Sequence, residues 1–397
     1  MRLLSLLVGL LLSIHVALAE AEFHRDATAP TTEHSQELIH AIQELVNDYY
    51  VDDVDQQALL DGALKGMLEV LDPHSTYLSP STLELLRDNN RGHYYGYGLE
   101  VAIDEQLIRV VTPLGGSSAE AAGVLPGDVL LQVDSLIANA DNLDPLIAYI
   151  KQASLDDRHL LLTLEREDTP TPLQFRLSPS EIEIASSESE LLPGDIGYLK
   201  ISSFNQRTAF EVRMAATQLL QQPLKGLVLD LRNNPGGLLD AAVQVADMFL
   251  TSGTIVTTHG RFFDANSDYR ATSYSLFGDV PVAVLINQGS ASAAEILAGA
   301  LSDQGRAILI GETSYGKGTV QSLIPLMGQG GAIKLTTARY ATPDGTFIDQ
   351  QGIAPDLHIE LDAQQLEDIV SNIQELTSWK DDQQLFAAHD LLQAWTP

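Results

Sequence analysis

Between Ile184 and Ile310 strand-like apolar runs and helix-spaced segments take turns, and this alternation limits the fold more than any other feature of the 397-residue chain. The strand runs are Ile196–Phe204, Leu227–Leu231, Val280–Ile286 and Ala307–Ile310. Helical spacing covers Thr208–Leu220, Leu239–Leu250 and the segment after Ser292. Near-continuous apolar strands separated by helices predict a largely parallel sheet covered by those helices.

The densest chemistry lies at the end of this region, from Asn287 to Gln321. An apolar strand feeds the small-residue turn Asn287-Gln-Gly-Ser-Ala-Ser-Ala-Ala-Glu-Ile, and Glu295–Leu301 then has helical spacing, so Ser292 falls at a strand-to-helix corner. A hydroxyl at such a corner stands beside the unpaired N–H groups of the first helical turn, among them that of Ala293, which can stabilise an oxyanion. Ser292 followed by Glu295 fits a capping box equally well. Lys317, between Gly316 and Gly318, follows the strand Ala307–Ile310. A lysine activates a serine only as a neutral amine, which requires its pKa to fall from about 10.4 towards 7 or 8, roughly 4 kcal/mol that burial can supply.

Gly289-Ser-Ala-Ser-Ala-Ala-Glu-Ile, a spacing of 25 residues from Ser292 to Lys317, and Gly316-Lys-Gly-Thr-Val-Gln321 resemble the carboxyl-terminal processing (tail-specific) proteases. The resemblance implies Ser292 as nucleophile, Lys317 as general base and Gln321 as the group that orients the lysine. It departs at Ala294, where the family often has serine. On a regular strand, positions 317 and 321 would lie roughly 13 Å apart at about 3.3 Å per residue, so their contact requires long side chains or a bend. The resemblance also implies an α/β fold: a ClpP/crotonase-like protease core (residues 181–361), a helical N-terminal segment (20–92) and an inserted β-rich PDZ domain (93–180). Asp230-Leu-Arg-Asn-Asn-Pro-Gly-Gly237 ends one core strand, and Gly236 and Gly237 are expected to supply the second oxyanion donor, unless they only close a turn.

The PDZ resemblance rests on its own residues. Gly96-Tyr97-Gly98-Leu99 precedes an alternating strand through Val101 and Ile103, and Ala122-Gly-Val-Leu-Pro-Gly-Asp-Val-Leu130 contains a type II turn signal. A glycine loop offers N–H groups to an anion, and an adjacent strand edge can accept an extended peptide. Gly96, Tyr97, Gly98, Leu99 and Val101 are therefore the expected substrate-binding residues. Upstream, Leu38 to Tyr49 repeat as an amphipathic helix, a second runs from about Asp55 to Leu71, and Asp72-Pro-His-Ser-Thr-Tyr77 reads as a capped stop and turn. Residues 362–397 form an acidic, helical tail.

With 22 Lys and Arg against 54 Asp and Glu, the formal charge of −32 argues against nucleic acid or an anionic membrane as a standing partner. Met1–Ala19 has one arginine, an apolar run and Ala17-Leu-Ala19, the pattern of a secretory signal peptide, with no stable span expected after its removal. The expected location is outside the cytoplasm, in the periplasm of a Gram-negative bacterium. No cysteine is present, so neither a disulfide nor a thiolate nucleophile is available. No metal or other cofactor is expected, since His-Glu-x-x-His is missing and Glu37-x-x-His40 has no second copy. A trypsin-like protease would need serine where Asn233-Asn-Pro-Gly-Gly has Pro235, which leaves a non-catalytic peptide-binding scaffold as the other alternative. The expected activity is that of a serine endopeptidase acting on protein substrates with free C-terminal tails. An activating adaptor protein and a homo-oligomer are compatible with this reading.

Overall fold

The computed structural model describes residues 32–361, except 105, 168 and 329, and residues 379–395. The signal-like residues 1–19 and residues 362–378 of the tail lie outside the described residues. Two compact units are present, residues 1–67 and 68–397. In the first, α1 (Thr32–Tyr49) has the expected amphipathic spacing, and α2 (Gln56–Glu69) begins where Asp55 Oδ1 accepts the Gln57 N–H at 2.8 Å.

In the second unit, Asp72–Ser75 leads into β1 (Thr76–Leu78), and α3 (Pro80–Arg91) follows. The sequence reading did not anticipate α3. Its signals are local: Ser79 accepts the Thr82 N–H, Pro80 sits in the first turn, and Gly92 closes the helix at φ 75°.

A short antiparallel pair, β2 (His93–Gly96) with β9 (Ser180–Glu183), brackets the inserted module. Within it lie β3 (Leu99–Asp104), β4 (Leu107–Pro113), α4 (Ser118–Ala122), β5 (Val129–Val133), β6 (Leu136–Ile137), α5 (Leu143–Leu155), β7 (Leu160–Glu165) and β8 (Leu173–Leu177). The sheet order is β3-β4-β5-β7-β8, all antiparallel, with β6 paired to β5. Ile108, Val110, Leu146, Leu162 and Leu164 form a core of its own. The Leu125–Asp128 turn is present, with Gly127 at φ 88° and the Asp128 N–H donating to Leu125 O.

The remaining elements are β10 (Ser187–Leu192), β11 (Ile196–Ile201), α6 (Thr208–Leu219), β12 (Gly226–Asp230), α7 (Leu239–Asp247), β13 (Thr254–Gly260), β14 (Ser267–Arg270), β15 (Val282–Ile286), α8 (Ala293–Asp303), β16 (Ala307–Gly311), β17 (Thr319–Pro325), β18 (Ala332–Ala341), β19 (Leu357–His358) and α9 (Gln383–Ala394). They build a sheet ordered β10-β11-β12-β15-β16-β19, parallel from β11 to β19. β12 and β15 are buried on both faces, as their uninterrupted apolar runs require. Leu227, Leu229, Val284 and Ile286 share one core with α6, α7 and α8, whereas Val228, Ala283 and Leu285 meet Leu385 and Leu392 of α9 on the other face. A second, antiparallel sheet has the order β1-β18-β13-β14, with β17 on the remaining edge of β18.

Candidate active site

In a parallel sheet the carboxyl ends of neighbouring strands lie side by side, and ligand sites gather there. The turns after β12, β15 and β16 meet at this edge. Asn233 N–H donates to Asn287 Oδ1, and Asn287 Nδ2 donates back to Asn233 Oδ1, both at 2.9 Å, so the first two turns are stitched together. Ser292 ends the second turn, immediately before α8. Its backbone stands at φ 56°, ψ −114°, a conformation that costs a non-glycine residue of order 1–3 kcal/mol and is found where a side chain is displayed for function.

Glu295, fully buried one turn into α8, ties this corner to the turn after β16. Its Oε2 accepts the backbone N–H of Ser292 at 2.7 Å and of Lys317 at 2.9 Å, while Oε1 accepts Ser314 Oγ and the Gly316 N–H, each at 2.6 Å. The expected capping contact from Glu295 to the Ser292 N–H therefore exists, but it is one quarter of what this carboxylate does. Tyr340 of β18 adds a second tie. Its hydroxyl lies 2.7 Å from Lys317 O and 3.1 Å from Ser292 O, and burial pushes its pKa well up, so it remains a donor.

Lys317 is half-buried between the parallel sheet and β17. Its flanking glycines have a steric reason: a Cβ on Gly316 would stand 2.8 Å from the Gly352 N, and one on Gly318 would stand 2.6 Å from the Asp349 N. Burial lowers the Lys317 pKa from its ordinary 10.5, and the charge of Lys334 lowers it further, against an opposing pull from Glu295. This is the direction that a lysine base needs.

Gly236 and Gly237 behave differently from each other. The Gly236 N–H donates to Asn234 Oδ1 at 2.8 Å, which removes it from the set of available oxyanion donors. The part this glycine plays is steric, because a Cβ there would stand 2.8 Å from Ser292 Cβ and 2.9 Å from Ala293 N. The exposed Gly237 and the first residue of α8, Ala293, direct no backbone N–H to an acceptor among the described residues.

Gln321 lies on β17 just past a register shift between Val320 and Gln321, and β17 itself begins only at Thr319, so the straight-strand separation from Lys317 does not apply. Its Nε2 donates to Thr319 Oγ1 at 2.9 Å and to Thr336 Oγ1 at 3.3 Å. Among the described residues no hydrogen bond joins Gln321 to Lys317. Two groups that sequence reasoning passed over also reach this face. Thr336 Oγ1 donates to Asp72 Oδ1 at 3.2 Å, and burial together with the charge of Lys317 lowers the pKa of His74.

Known proteins resemble this chain over most of its length. The sequence profile of peptidase family S41 matches residues 195–359, and that of the activating protease CtpB N-terminal domain matches residues 13–82. The carboxy-terminal-processing protease of Bartonella bacilliformis is 40% identical over 323 residues, 80% of this chain and 74% of that protein. The chain belongs to peptidase family S41. Carboxy-terminal processing protease CtpB of Bacillus subtilis is 34% identical over 355 residues, 87% of this chain and 70% of its own. A solved S41 protease from Bacteroides fragilis covers 90% of the chain and 98% of its own with a TM-score of 0.52 at 17% identity, a likeness of fold. This S41 chain is thus a serine-type endopeptidase of the carboxyl-terminal processing kind, with a mixed α/β fold.

In the S41 chain the five residues expected to bind substrate divide by position. Gly96 ends β2, opposite Ser180 of β9. Tyr97 turns its ring into the module core and donates its hydroxyl to Arg158 O at 2.6 Å; burial raises its pKa to about 12. Gly98, at φ 80°, leads into β3, where Leu99 and Val101 pack partly against the module core. β3 is an edge strand: β4 pairs along one side, and no strand of the described residues pairs along the other.

Proposed function

We propose that this chain is an exported endopeptidase that recognises the C-terminal tails of proteins through a PDZ domain, residues 93–180, and cuts them with a Ser292/Lys317 dyad held in a ClpP/crotonase-like core. The observation that carries the dyad is the Glu295 carboxylate, which clasps the backbones of Ser292 and Lys317 with a single oxygen.

In the reaction, Ser292 Oγ attacks the scissile carbonyl carbon and gives its proton to the neutral Lys317 amine. The carbonyl oxygen takes the negative charge and accepts the N–H groups of Gly237 and Ala293, donors already fixed before the charge develops. Collapse of the tetrahedral intermediate breaks the C–N bond, and the Lys317 ammonium protonates the departing amine. Water then attacks the Ser292 ester, again giving a proton to Lys317; the new acid leaves and the serine recovers its hydrogen. Gln321 orients the lysine. The free edge of β3 and the Gly98 loop support the tail-binding part of the reading, with strand addition along β3 and the terminal carboxylate on the loop N–H groups. The signal-like residues 1–19 support export to the periplasm. An adaptor protein and self-association remain compatible with the fold.

The deciding experiment treats the parent and Ser292→Ala with a fluorophosphonate probe and follows peptide cleavage in parallel. The parent is expected to gain one adduct, located on Ser292, and the variant neither to label nor to cleave. Cleavage by the alanine variant at a rate near that of the parent would overturn the assignment.

A further inference from the structure

The Asp72–Ser75 turn, which from sequence reads only as a helix stop, is bound to the catalytic face by side chains. Asp72 accepts the backbone N–H groups of His74 and Ser75 and the Ser75 hydroxyl, each at 2.8 Å. Ser75 Oγ in turn accepts the Thr336 N–H at 3.1 Å, which seats the turn on β18 beside the Thr76 to Lys334 pairing. From there a side-chain chain runs inward: Thr336 Oγ1 donates to Asp72 Oδ1, and Gln321 Nε2 donates to Thr336 Oγ1.

The direction of these bonds has a consequence. An ionised carboxylate only accepts, so the single Thr336 hydroxyl hydrogen is committed to Asp72 and Thr336 Oγ1 has only lone pairs to offer Gln321. Gln321 must therefore turn its NH2 towards Thr336. Thr319 Oγ1 receives the second amide hydrogen, and the carbonyl oxygen Oε1 is left for another donor. Asn and Gln amides are ambiguous in isolation, and their orientation follows from the network around them. Here the network starts at Asp72. Burial raises its pKa, but the hydrogen bonds from Ser75, His74 and Thr336 outweigh this and hold it below the ordinary carboxylate value, so it is an acceptor at neutral pH.

We propose that Asp72 is a positioning residue of the peptidase: through Thr336 it fixes the amide of Gln321 with the carbonyl oxygen facing the Lys317 amine. A carbonyl there accepts one lysine N–H and leaves the nitrogen lone pair directed at Ser292. A reversed amide would donate to that lone pair and occupy it. The proposal rests on the dyad reading above, and it makes a segment far away in sequence part of the base's alignment.

The test compares Thr336→Val, Thr336→Ser, Asp72→Ala and the Thr336→Val/Asp72→Ala double variant with the parent and Ser292→Ala, using a tail peptide and recording kcat, KM, the pH profile of kcat/KM and Tm. Thr336→Val should lower kcat by at least about tenfold, part of what a general base contributes, with KM nearly unchanged and the rising limb of the profile moved to lower pH. Thr336→Ser keeps the hydroxyl and should retain the parent kcat within about twofold. Asp72→Ala, which removes the acceptor that an asparagine Oδ1 would keep, should lower kcat by about tenfold in the parent and by less than about twofold on top of Thr336→Val, because residues acting as a unit are non-additive. A Thr336→Val enzyme with parental kcat and an unshifted profile overturns the proposal. So does an Asp72→Ala loss that is equal in both backgrounds. Should Thr336→Val fail to fold, Asp72→Ala decides alone: a lower Tm with an unshifted pH profile overturns the proposal, and a shifted profile with reduced kcat supports it. An inactive Ser292→Ala beside an unaffected Thr336→Val would sink the relay and leave the dyad standing, whereas an active Ser292→Ala would remove the dyad itself.

Discussion

Glu295 holds the backbone N–H of Ser292 and the backbone N–H of Lys317 on the same carboxylate oxygen, at 2.7 and 2.9 Å. A serine at one strand end and a lysine at the next are thereby fixed relative to each other through main-chain atoms, and their side chains remain available for chemistry. The other oxygen, occupied by Ser314 Oγ and the Gly316 N–H, anchors the turn that carries the lysine.

Replacing Glu295 by Gln separates charge and acceptor capacity from shape. One oxygen is kept, but an NH2 then faces two donors, and the buried N–H groups left unpaired cost about 2–5 kcal/mol. The expected result is a Tm lowered by several degrees together with at least about a tenfold loss in kcat/KM, because the two turns lose their common anchor. Thermal unfolding and steady-state kinetics on one preparation check both; parental stability would show that the four contacts do not support the site.

Strain at Ser292 makes a prediction of opposite sign. Ala keeps a Cβ in the φ 56° conformation and so keeps the strain, whereas Gly relieves it. Relief of about 1–3 kcal/mol outweighs the roughly 0.5–1 kcal/mol that glycine's greater unfolded freedom costs. Both variants should be inactive, and Ser292→Gly should be the more stable by about 1 kcal/mol in denaturant unfolding. An alanine variant equal to or more stable than the glycine variant would mean that the corner is unstrained.

These contacts show what can be read from a sequence and what cannot. The parallel sheet was legible because strands such as Leu227–Leu229 and Val282–Ile286 are apolar on both faces. Ser292 and Lys317 were legible as positions because strand ends and glycine turns mark them. Ser290 offers the same hydroxyl two residues earlier; the resemblance picks Ser292, and the contacts give Ser290 a structural place, since it is fully buried, donates to Leu231 O and accepts the Asn287 N–H. Glu295 read as a local cap because spacing reports only neighbours along the chain, and its other donors come from residues 314–317. Gly236 read as a donor because a glycine's need for space and its use of the N–H look alike in sequence. The Thr336 partner of Asp72 lies 264 residues away, beyond any periodic signal.

The pH response of Lys317 can be followed in stability as well as in rate. Its folded pKa lies below that of the unfolded chain, so between the two values the folded state holds fewer protons and stability rises with pH. Below that window the full cost of keeping an ammonium in a half-buried site is present; above it the cost is gone. Lys317→Met should therefore be inactive yet more heat-resistant than the parent at neutral pH, with the gain shrinking as pH climbs towards the ordinary lysine value. If Lys317 is the base proposed above, kcat/KM of the parent should rise with pH through one ionisation below 10.5, since only a neutral amine can accept the serine proton. A Tm difference that does not change with pH would detach the lysine from this account.

The module of residues 93–180, proposed above to bind tails, gives the last prediction, because that role separates a processing peptidase from a general one. The Gly98 loop lies beside the edge of β3 that no strand of the described residues pairs, so on the proposed reading a bound tail would add a strand there and place its terminal carboxylate on the loop N–H groups. A charged acceptor on buried donors is worth roughly 1.5–3 kcal/mol, about tenfold to a hundredfold in affinity. A tail peptide ending in a free acid should thus be cleaved with a kcat/KM at least several-fold above that of the same peptide ending in an amide, which lacks the charge. Gly98→Ala should bring the two rates together, because the glycine stands at φ 80° and a Cβ there would collide with Ser117 Cβ, forcing the loop to move. Cleavage of a substrate whose cut site lies far from any terminus provides the control, since the amide leaves it unchanged. Equal rates for acid and amide on the parent enzyme would show that the module does not read the terminus, and would leave β3 to bind extended chain by its backbone alone.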